Sequence, residues 1–287
     1  RKAAVLGSGT MGSGIAALLA SVGVEVALLD IPGQGSTPAG PPEVRSAPAL
    51  AGLERARALK APAPLTVAEL ARIHPGNFDD DLGWLADADW VIEVVVERLD
   101  IKRDLLARVI AAASPDAILS TNTSGIPIAA ISAGFGPEVG RRFIGTHFFN
   151  PPRVLKLLEL IPGPETDPEI TAFLSDYATD VLGKGVVPCH DTPNFIGNRF
   201  MTLIGAQAVA SALDHGLTVE EVDALTGPLI GRPRTGTFRL YDLVGIDVMA
   251  AIARNLYPAI PNDPARELIQ HPAAAALFSR LVADGLL

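Results

Sequence analysis

The sequence predicts a doubly wound α/β domain followed by an all-helical one, and three features of its 287 residues carry that expectation. An apolar run, Ala3-Ala4-Val5-Leu6, enters the glycine turn Gly7-Ser8-Gly9-Thr10-Met11-Gly12 and then the helical stretch Ser13 to Ala20. Short apolar runs then alternate with helical patterns as far as Val186-Val187-Pro188. Beyond Asp191 only helical patterns follow. Strands alternating with helices form a parallel sheet covered on both faces, and helices alone form a separate layer. The boundary is expected near residues 188–193, dividing the chain into 1–189 and 190–287.

The first strand, turn and helix supply the context that gives G-x-G-x-x-G its meaning. Gly7 permits the tight turn, Gly9 lets a pyrophosphate reach the backbone, and Gly12 lets helix and strand pack closely. Free N–H groups at the helix start attract phosphate, so Gly7, Gly9, Thr10, Met11 and Gly12 are the expected dinucleotide contacts. The second strand, Val24 to Leu29, ends in Asp30, placed to accept from the hydroxyls of an adenosine ribose. Asp30 would repel a 2′-phosphate, and Ile31-Pro32-Gly33 offers no arginine to receive one, which selects NAD over NADP. The expected architecture is therefore Rossmann-type.

Residues 33–64 are broken by Gly33, Gly35, Pro38, Gly40, Pro41, Pro42, Pro48, Pro62 and Pro64, with one helix expected from Ala49 to Lys60. Thr66-Val67-Ala68-Glu69 is a capping-box pattern that should start a short helix running through Ile73. Trp90 to Val96 is nearly continuous and β-branched, as in a central parallel strand. A helix from Ile101 to Ala113 and a strand at Ala117 to Ser120 follow. The next strands are expected at Phe143 to His147 and Val154 to Ile161, then a helix from Pro168 to Leu182. Asn194 to Leu213 reads as one long helix opening the second domain.

A net charge of −9 argues against nucleic acid or an anionic membrane as partner. Arg1-Lys2 and the apolar residues after it superficially resemble a signal peptide, but Gly7 to Gly14 interrupt the run. No uncharged apolar run approaches the ~20 residues that span a bilayer. The single cysteine, Cys189, allows no intrachain disulfide and suits a reducing cytoplasm. The first residue is not methionine, so the chain is expected to begin after the true start.

Ligands of open parallel sheets gather at the carboxyl ends of the strands, where Asp30, Glu97, Ser124 and His147 fall. A histidine flanked by phenylalanines is often structural. Glu159 changes that reading. If Asn150 to Arg153 reverse the chain, His147 and Glu159 face each other on antiparallel strands. A carboxylate on one ring nitrogen sets the tautomer and leaves the other to take a proton. Asn198, early on the long helix, needs a partner, either across a cleft or in the local backbone. The five histidines show neither HExxH nor cysteine pairing, so no metal site is expected. No Gly-x-Ser-x-Gly elbow is present.

With G-S-G-T-M-G, Asp30, E-V-V-V-E-R-L-D-I-K, T-N-T-S, G-T-H-F-F-N-P-P, L-K-L-L-E and D-T-P-N-F-I-G-N-R in order, the sequence resembles the 3-hydroxyacyl-CoA dehydrogenases. T-G-P-L-I-G-R-P and F-R-L-Y-D-L-V-G-I-D resemble the variant fused to an enoyl-CoA hydratase in bifunctional β-oxidation enzymes. The resemblance implies NAD-dependent oxidation of (S)-3-hydroxyacyl-CoA to 3-oxoacyl-CoA. It implies that His147 is the general base, that Glu159 is its carboxylate, and that Ser124 and Asn198 hold substrate oxygens. It further implies that Glu97, Lys102, Ser124 and Asn150 line the NAD site, and that the helical domain forms a homodimer.

Two departures stand out. The simplest members have long helices contacting CoA where residues 33–64 are proline-rich, which leaves Arg55, Arg57 and Lys60 as the candidates for the CoA phosphates. Members also continue into a glycine-rich G-F-Y segment, so this chain is expected to be incomplete after Leu286-Leu287. A β-hydroxyacid dehydrogenase acting on a non-CoA substrate would need a lysine on the first interdomain helix, and none follows Lys184. A non-catalytic NAD-binding or structural protein of the same family is the remaining alternative, opposed by the intact Ser124, His147, Glu159 and Asn198.

Overall fold

Eight strands form one sheet in the order β3-β2-β1-β4-β5-β6-β7-β8. They are β1 Lys2–Leu6, β2 Glu25–Asp30, β3 Ile73–Asn77, β4 Trp90–Glu93, β5 Ile118–Thr121, β6 Phe143–Phe148, β7 Leu157–Pro162 and β8 Gly185–Pro188. The computed structural model describes residues 1–285, so the expected early end at Leu286-Leu287 lies outside the described residues. Neighbours from β3 to β6 are parallel, β6 and β7 are antiparallel, and β7 and β8 are parallel to each other. The chain moves outward from β1 through β2 to β3, then returns to β4 on the other side of β1. That reversal opens the crevice in which such sheets bind nucleotides.

Alternation along the central strands explains why both faces read as apolar. Val5, Val26, Leu28 and Ile92 pack on one face with Ile15, Leu18 and Leu19 of helix α1 (Thr10–Ser21). Ala4, Leu6, Ala27, Leu29 and Val91 pack on the other with Leu105, Leu106 and Val109 of a helix at Leu99–Ala112. Burying each of the larger side chains contributes about 1.5–3 kcal/mol. Numbered in chain order, the Leu99–Ala112 helix is α3, and two further helices of this unit are α2 (Ala47–Ala58) and α4 (Pro168–Asp180).

Four expected elements differ from the structure. The capping box is present, with Thr66 Oγ1 accepting from Glu69 N and Glu69 accepting from Thr66 N, but its helix covers only Val67–Leu70. Ile73–Asn77 is instead β3, an edge strand, the position in a sheet that tolerates Pro75. β4 stops at Glu93 rather than Val96, because the Glu93 carboxylate takes the Val95 N–H at 2.6 Å and turns the backbone out of the ladder. β7 begins at Leu157 rather than Val154, since Val154 and Leu155 both donate to the Pro151 carbonyl in a turn.

The long helix begins at Gly197, not Asn194, and runs to His215. Asn194 (φ 60°) and Phe195 (φ 48°) are left-handed and cannot belong to it. The compact units divide between Phe195 and Ile196. Cys189 and Phe195 are buried in the first unit's core, which keeps this segment with the sheet beyond the expected division after residue 189. The second unit holds α5 (Gly197–His215), α6 (Val219–Thr226), α7 (Phe238–Val244), α8 (Ile246–Ala259) and α9 (Pro272–Ala283). Val209, Tyr241, Ile246 and Ala274 form its core. Asp223 of α6 accepts from the N–H groups of Thr237, Phe238 and Arg239 at 2.6–3.0 Å, capping α7.

Candidate active site

Register places the first unit's polar groups along one edge of the sheet. The Cα partners Leu29, Leu6, Glu93, Thr121 and Gly145 form a row across five strands, so Asp30, Gly7, Asn122 and His147 follow just beyond it.

The glycine turn is built as an anion cradle. Gly7 has φ 107°, and a Cβ there would stand 2.6 Å from the Val94 carbonyl. A Cβ on Gly12 would collide with the Gly7 carbonyl, whereas beside Gly9 nothing lies within 4 Å. Open space at Gly9 and an α1 start without any side-chain cap fit a bound pyrophosphate. Asp30 holds the turn from the adjacent strand. Its Oδ2 accepts from Ser8 N at 2.6 Å and Ser8 Oγ at 2.5 Å, and its Oδ1 from Ile31 N at 2.7 Å. A carboxylate has about four acceptor positions, so capacity remains for a ribose hydroxyl. Arg55 lies at this turn too, with Nη2 donating to the Ser8 carbonyl at 2.5 Å. Arg57 pairs with Glu54 at 2.8 Å, and Lys60 is exposed just past α2.

Past β4, Lys102 of α3 reaches back into the sheet edge. Its Nζ donates to Glu93 Oε1 and Oε2 at 2.9 and 3.1 Å and lies 3.3 Å from Glu97 Oε2. Lys102 and Glu93 are 1% and 0% exposed, and Thr121 Oγ1 completes the Glu93 shell at 2.6 Å. The other Glu97 oxygen accepts from Thr123 Oγ1 at 2.6 Å, Ser124 N at 2.8 Å and Gly125 N at 3.1 Å. Partial burial pushes the Glu97 carboxyl up. The Lys102 ammonium, the Thr123 hydroxyl and the Ser124 N–H outweigh that and hold it below the usual carboxylate range. Glu97, Lys102 and Ser124 thus form one network, which positions the exposed Ser124 hydroxyl at the end of β5.

His147 and Glu159 are direct partners in the β6–β7 ladder, and His147 Nδ1 lies 2.7 Å from Glu159 Oε2. Both are buried. The imidazole is flanked by the rings of Phe149 and Phe195, with centroids 4.4 and 5.7 Å away. With Nδ1 committed to the carboxylate, Nε2 is the atom left for proton transfer. The connection between these strands, which carries the exposed Asn150, is pinned by Lys184. Its Nζ donates to the Pro152 carbonyl and, at 2.7 Å, to the Leu155 carbonyl. Asn198 stands on the first turn of α5 in the second unit, its carbonyl accepting from Thr202 Oγ1 at 2.8 Å. Among the described residues no cluster of three or more histidine, cysteine or carboxylate side chains suits a metal ion.

Residues 2–192 match the family model for the NAD-binding domain of 3-hydroxyacyl-CoA dehydrogenase, and residues 195–287 match the C-terminal domain of the same family. The chain belongs to the 3-hydroxyacyl-CoA dehydrogenase family. It is 47% identical over 282 residues to a probable 3-hydroxyacyl-CoA dehydrogenase of Bacillus subtilis, covering 95% of this chain and 36% of that protein. It is 44% identical over 293 residues to a probable 3-hydroxyacyl-CoA dehydrogenase of Deinococcus radiodurans, covering 100% of this chain and 80% of that protein. The crystal structure of Mycobacterium tuberculosis FadB2 superposes with a TM-score of 0.79 at 33% identity, covering 99% of this chain and 94% of that one. The chain therefore spans about a third of the Bacillus relative and most of the other two. As a member of this family the first unit takes NAD as its cofactor.

Sequence reasoning missed two contributors to this dehydrogenase-family site. Glu93 was legible in principle, since a carboxylate inside an apolar strand must find a buried partner. Ser8, bonded to both Asp30 and Arg55, carries no signal in the sequence beyond its place in the glycine turn.

Proposed function

We propose that the protein is an NAD-dependent dehydrogenase that oxidises (S)-3-hydroxyacyl-CoA to 3-oxoacyl-CoA. The observation that carries this reading is the buried His147–Glu159 pair at the carboxyl edge of a sheet that also bears the NAD cradle. NAD, held at the turn of residues 7–12 and Asp30, would supply the hydride acceptor for C3 of the substrate. His147 Nε2 takes the 3-hydroxyl proton as the C–O bond gains double-bond character. Glu159 keeps Nδ1 protonated and stabilises the imidazolium that forms. Ser124, held by Glu97, and Asn198 orient the substrate's hydroxyl and thioester oxygens. Glu97, Lys102, Ser124 and Asn150 line the cofactor site, and Arg55, Arg57 and Lys60 are the candidates for the CoA phosphates. Membership of this family, together with the variant-like C-terminal motifs, supports a homodimer through the helical unit and operation beside an enoyl-CoA hydratase. No described helix is long and apolar enough to cross a membrane, and the single cysteine supports a cytoplasmic setting.

His147→Ala and Glu159→Gln should each lower kcat for NADH formation from 3-hydroxybutyryl-CoA by at least ~10²-fold. NADH affinity, read by fluorescence titration, should hold in both. An unchanged turnover in either variant rules the mechanism out.

A further inference from the structure

Helix α2 is laid against the glycine turn along one face. Ser8 Oγ lies 2.8 Å from the Pro48 carbonyl, Gly52 brings the helix so near that a Cβ there would stand 2.6 Å from Ser8 Cβ, and Arg55 Nη2 donates to the Ser8 carbonyl at 2.5 Å. Positions 48, 52 and 55 are spaced four and three apart, the interval that aligns residues on one side of a helix. Ser8 therefore carries a carboxylate on its N–H side, from Asp30, and a guanidinium on its C=O side, from Arg55. The two charges form no ion pair with each other among the described residues, and Arg55 remains exposed.

A guanidinium has five N–H donors and cannot be deprotonated in a protein. Arg55 uses one for the Ser8 carbonyl, and the exposed side chain stands beside a turn built for a diphosphate. The turn itself, residues 7–14, holds no lysine or arginine. Among the described residues, Arg55 is the cation hydrogen-bonded to it. We infer that Arg55 is a cofactor-binding residue that meets the anionic pyrophosphate of NAD from its adenosine side. The CoA role expected from the sequence then falls to other cations. This inference rests on the first unit's NAD site and not on the proposed reaction.

The test is NADH binding to the full 287-residue chain, followed by fluorescence, beside binding of coenzyme A. Arg55→Leu should raise the Kd for NADH about tenfold, as for loss of a charge-assisted phosphate contact. Arg55→Gln, which can still donate to the Ser8 carbonyl, should show a similar loss. The gap between wild type and Arg55→Leu should narrow as salt is raised, because an exposed charge contact is screened. Recovery of wild-type NADH affinity in Arg55→Gln would reduce Arg55 to a brace for the turn and overturn the inference. So would unchanged NADH affinity in Arg55→Leu, whether or not coenzyme A binding weakens. Failure of the wild-type chain to bind NADH would remove the cofactor site and the inference together.

Discussion

Glu93 and Lys102 meet where neither can reach water, and a charge pair so enclosed is held by geometry more than by any net gain in attraction. Its value shows when one partner goes. Lys102→Met leaves the Glu93 carboxylate with Thr121 and the Val95 N–H but no counter-charge, which should cost about 3–5 kcal/mol in urea unfolding. The double variant Glu93→Gln/Lys102→Met should regain part of that loss, and a single variant within about 0.5 kcal/mol of wild type would show the pair to be dispensable. Lys102 also fixes Glu97 and, through it, the backbone at Ser124. Activity should therefore fall further in Lys102→Met than stability alone accounts for. At this scale Asp30, Glu97, Ser124, His147 and Glu159 stand out in the sequence by spacing or strand ends, and Lys102 by the family resemblance. The His147–Glu159 contact was legible from the expected chain reversal; the others were not, because a bond such as Arg55 to Ser8 joins residues 47 positions apart through the packing of a helix on a turn.

Elements were legible where local pattern and tertiary environment agree. β1, β2, β5 and β6 are short apolar runs with both faces covered, and a continuous run is what such strands require. β3 escaped notice because Ile73-His74-Pro75-Gly76-Asn77 carries turn residues, and only its place at the sheet edge makes a strand of it. The start of α5 was misplaced because two left-handed residues interrupt an otherwise helical composition, and apolar periodicity does not register the sign of φ. The glycine turn is the element whose sequence and structure coincide most fully. Gly12→Ala drives a methyl group into the Gly7 carbonyl and must push α1 away from β1. It should lower stability by about 1–3 kcal/mol and weaken NADH binding at least about tenfold. Gly9→Ala, placed in open space, should leave stability nearly intact and weaken NADH binding alone. Thermal unfolding beside NADH titration separates the two, and equal stability losses would contradict the assignment.

For the molecule as a whole, one buried cation makes a distinct contribution to alkaline behaviour. Burial pulls the Lys184 ammonium from 10.5 down to about 8. Between pH 8 and 10.5 this amine therefore binds more protons in the unfolded chain than in the folded one, and its contribution to stability rises with pH across that window. From pH 8 to 9.5 the contribution is about 2 kcal/mol, since each unit of pKa difference is about 1.4 kcal/mol. Buried Tyr241, pushed up to about 12, acts in the opposite sense only above pH 10, where its unfolded form ionises first. Lys184→Met should remove the rise between pH 8 and 9.5 in urea midpoints, and an unaltered slope would show that Lys184 is not its source. Domain organisation was legible because strand signals cease after Pro188, although the division falls beyond Phe195, whose ring packs beside His147.

The antiparallel pairing of β6 and β7 has a consequence for how this site can vary. Side chains alternate faces along a strand, so a slip of one residue in that ladder would bring Leu158 or Leu160 opposite His147 in place of Glu159. The geometry of the proton-accepting pair is thus written in backbone hydrogen bonds, not in a loop that can adjust. Lengthening the 149–156 connection is compatible with an intact pair, while one residue inserted within either strand is not. Changes of length in this protein should therefore be tolerated in the hairpin past Asn150 and stop abruptly at its two legs.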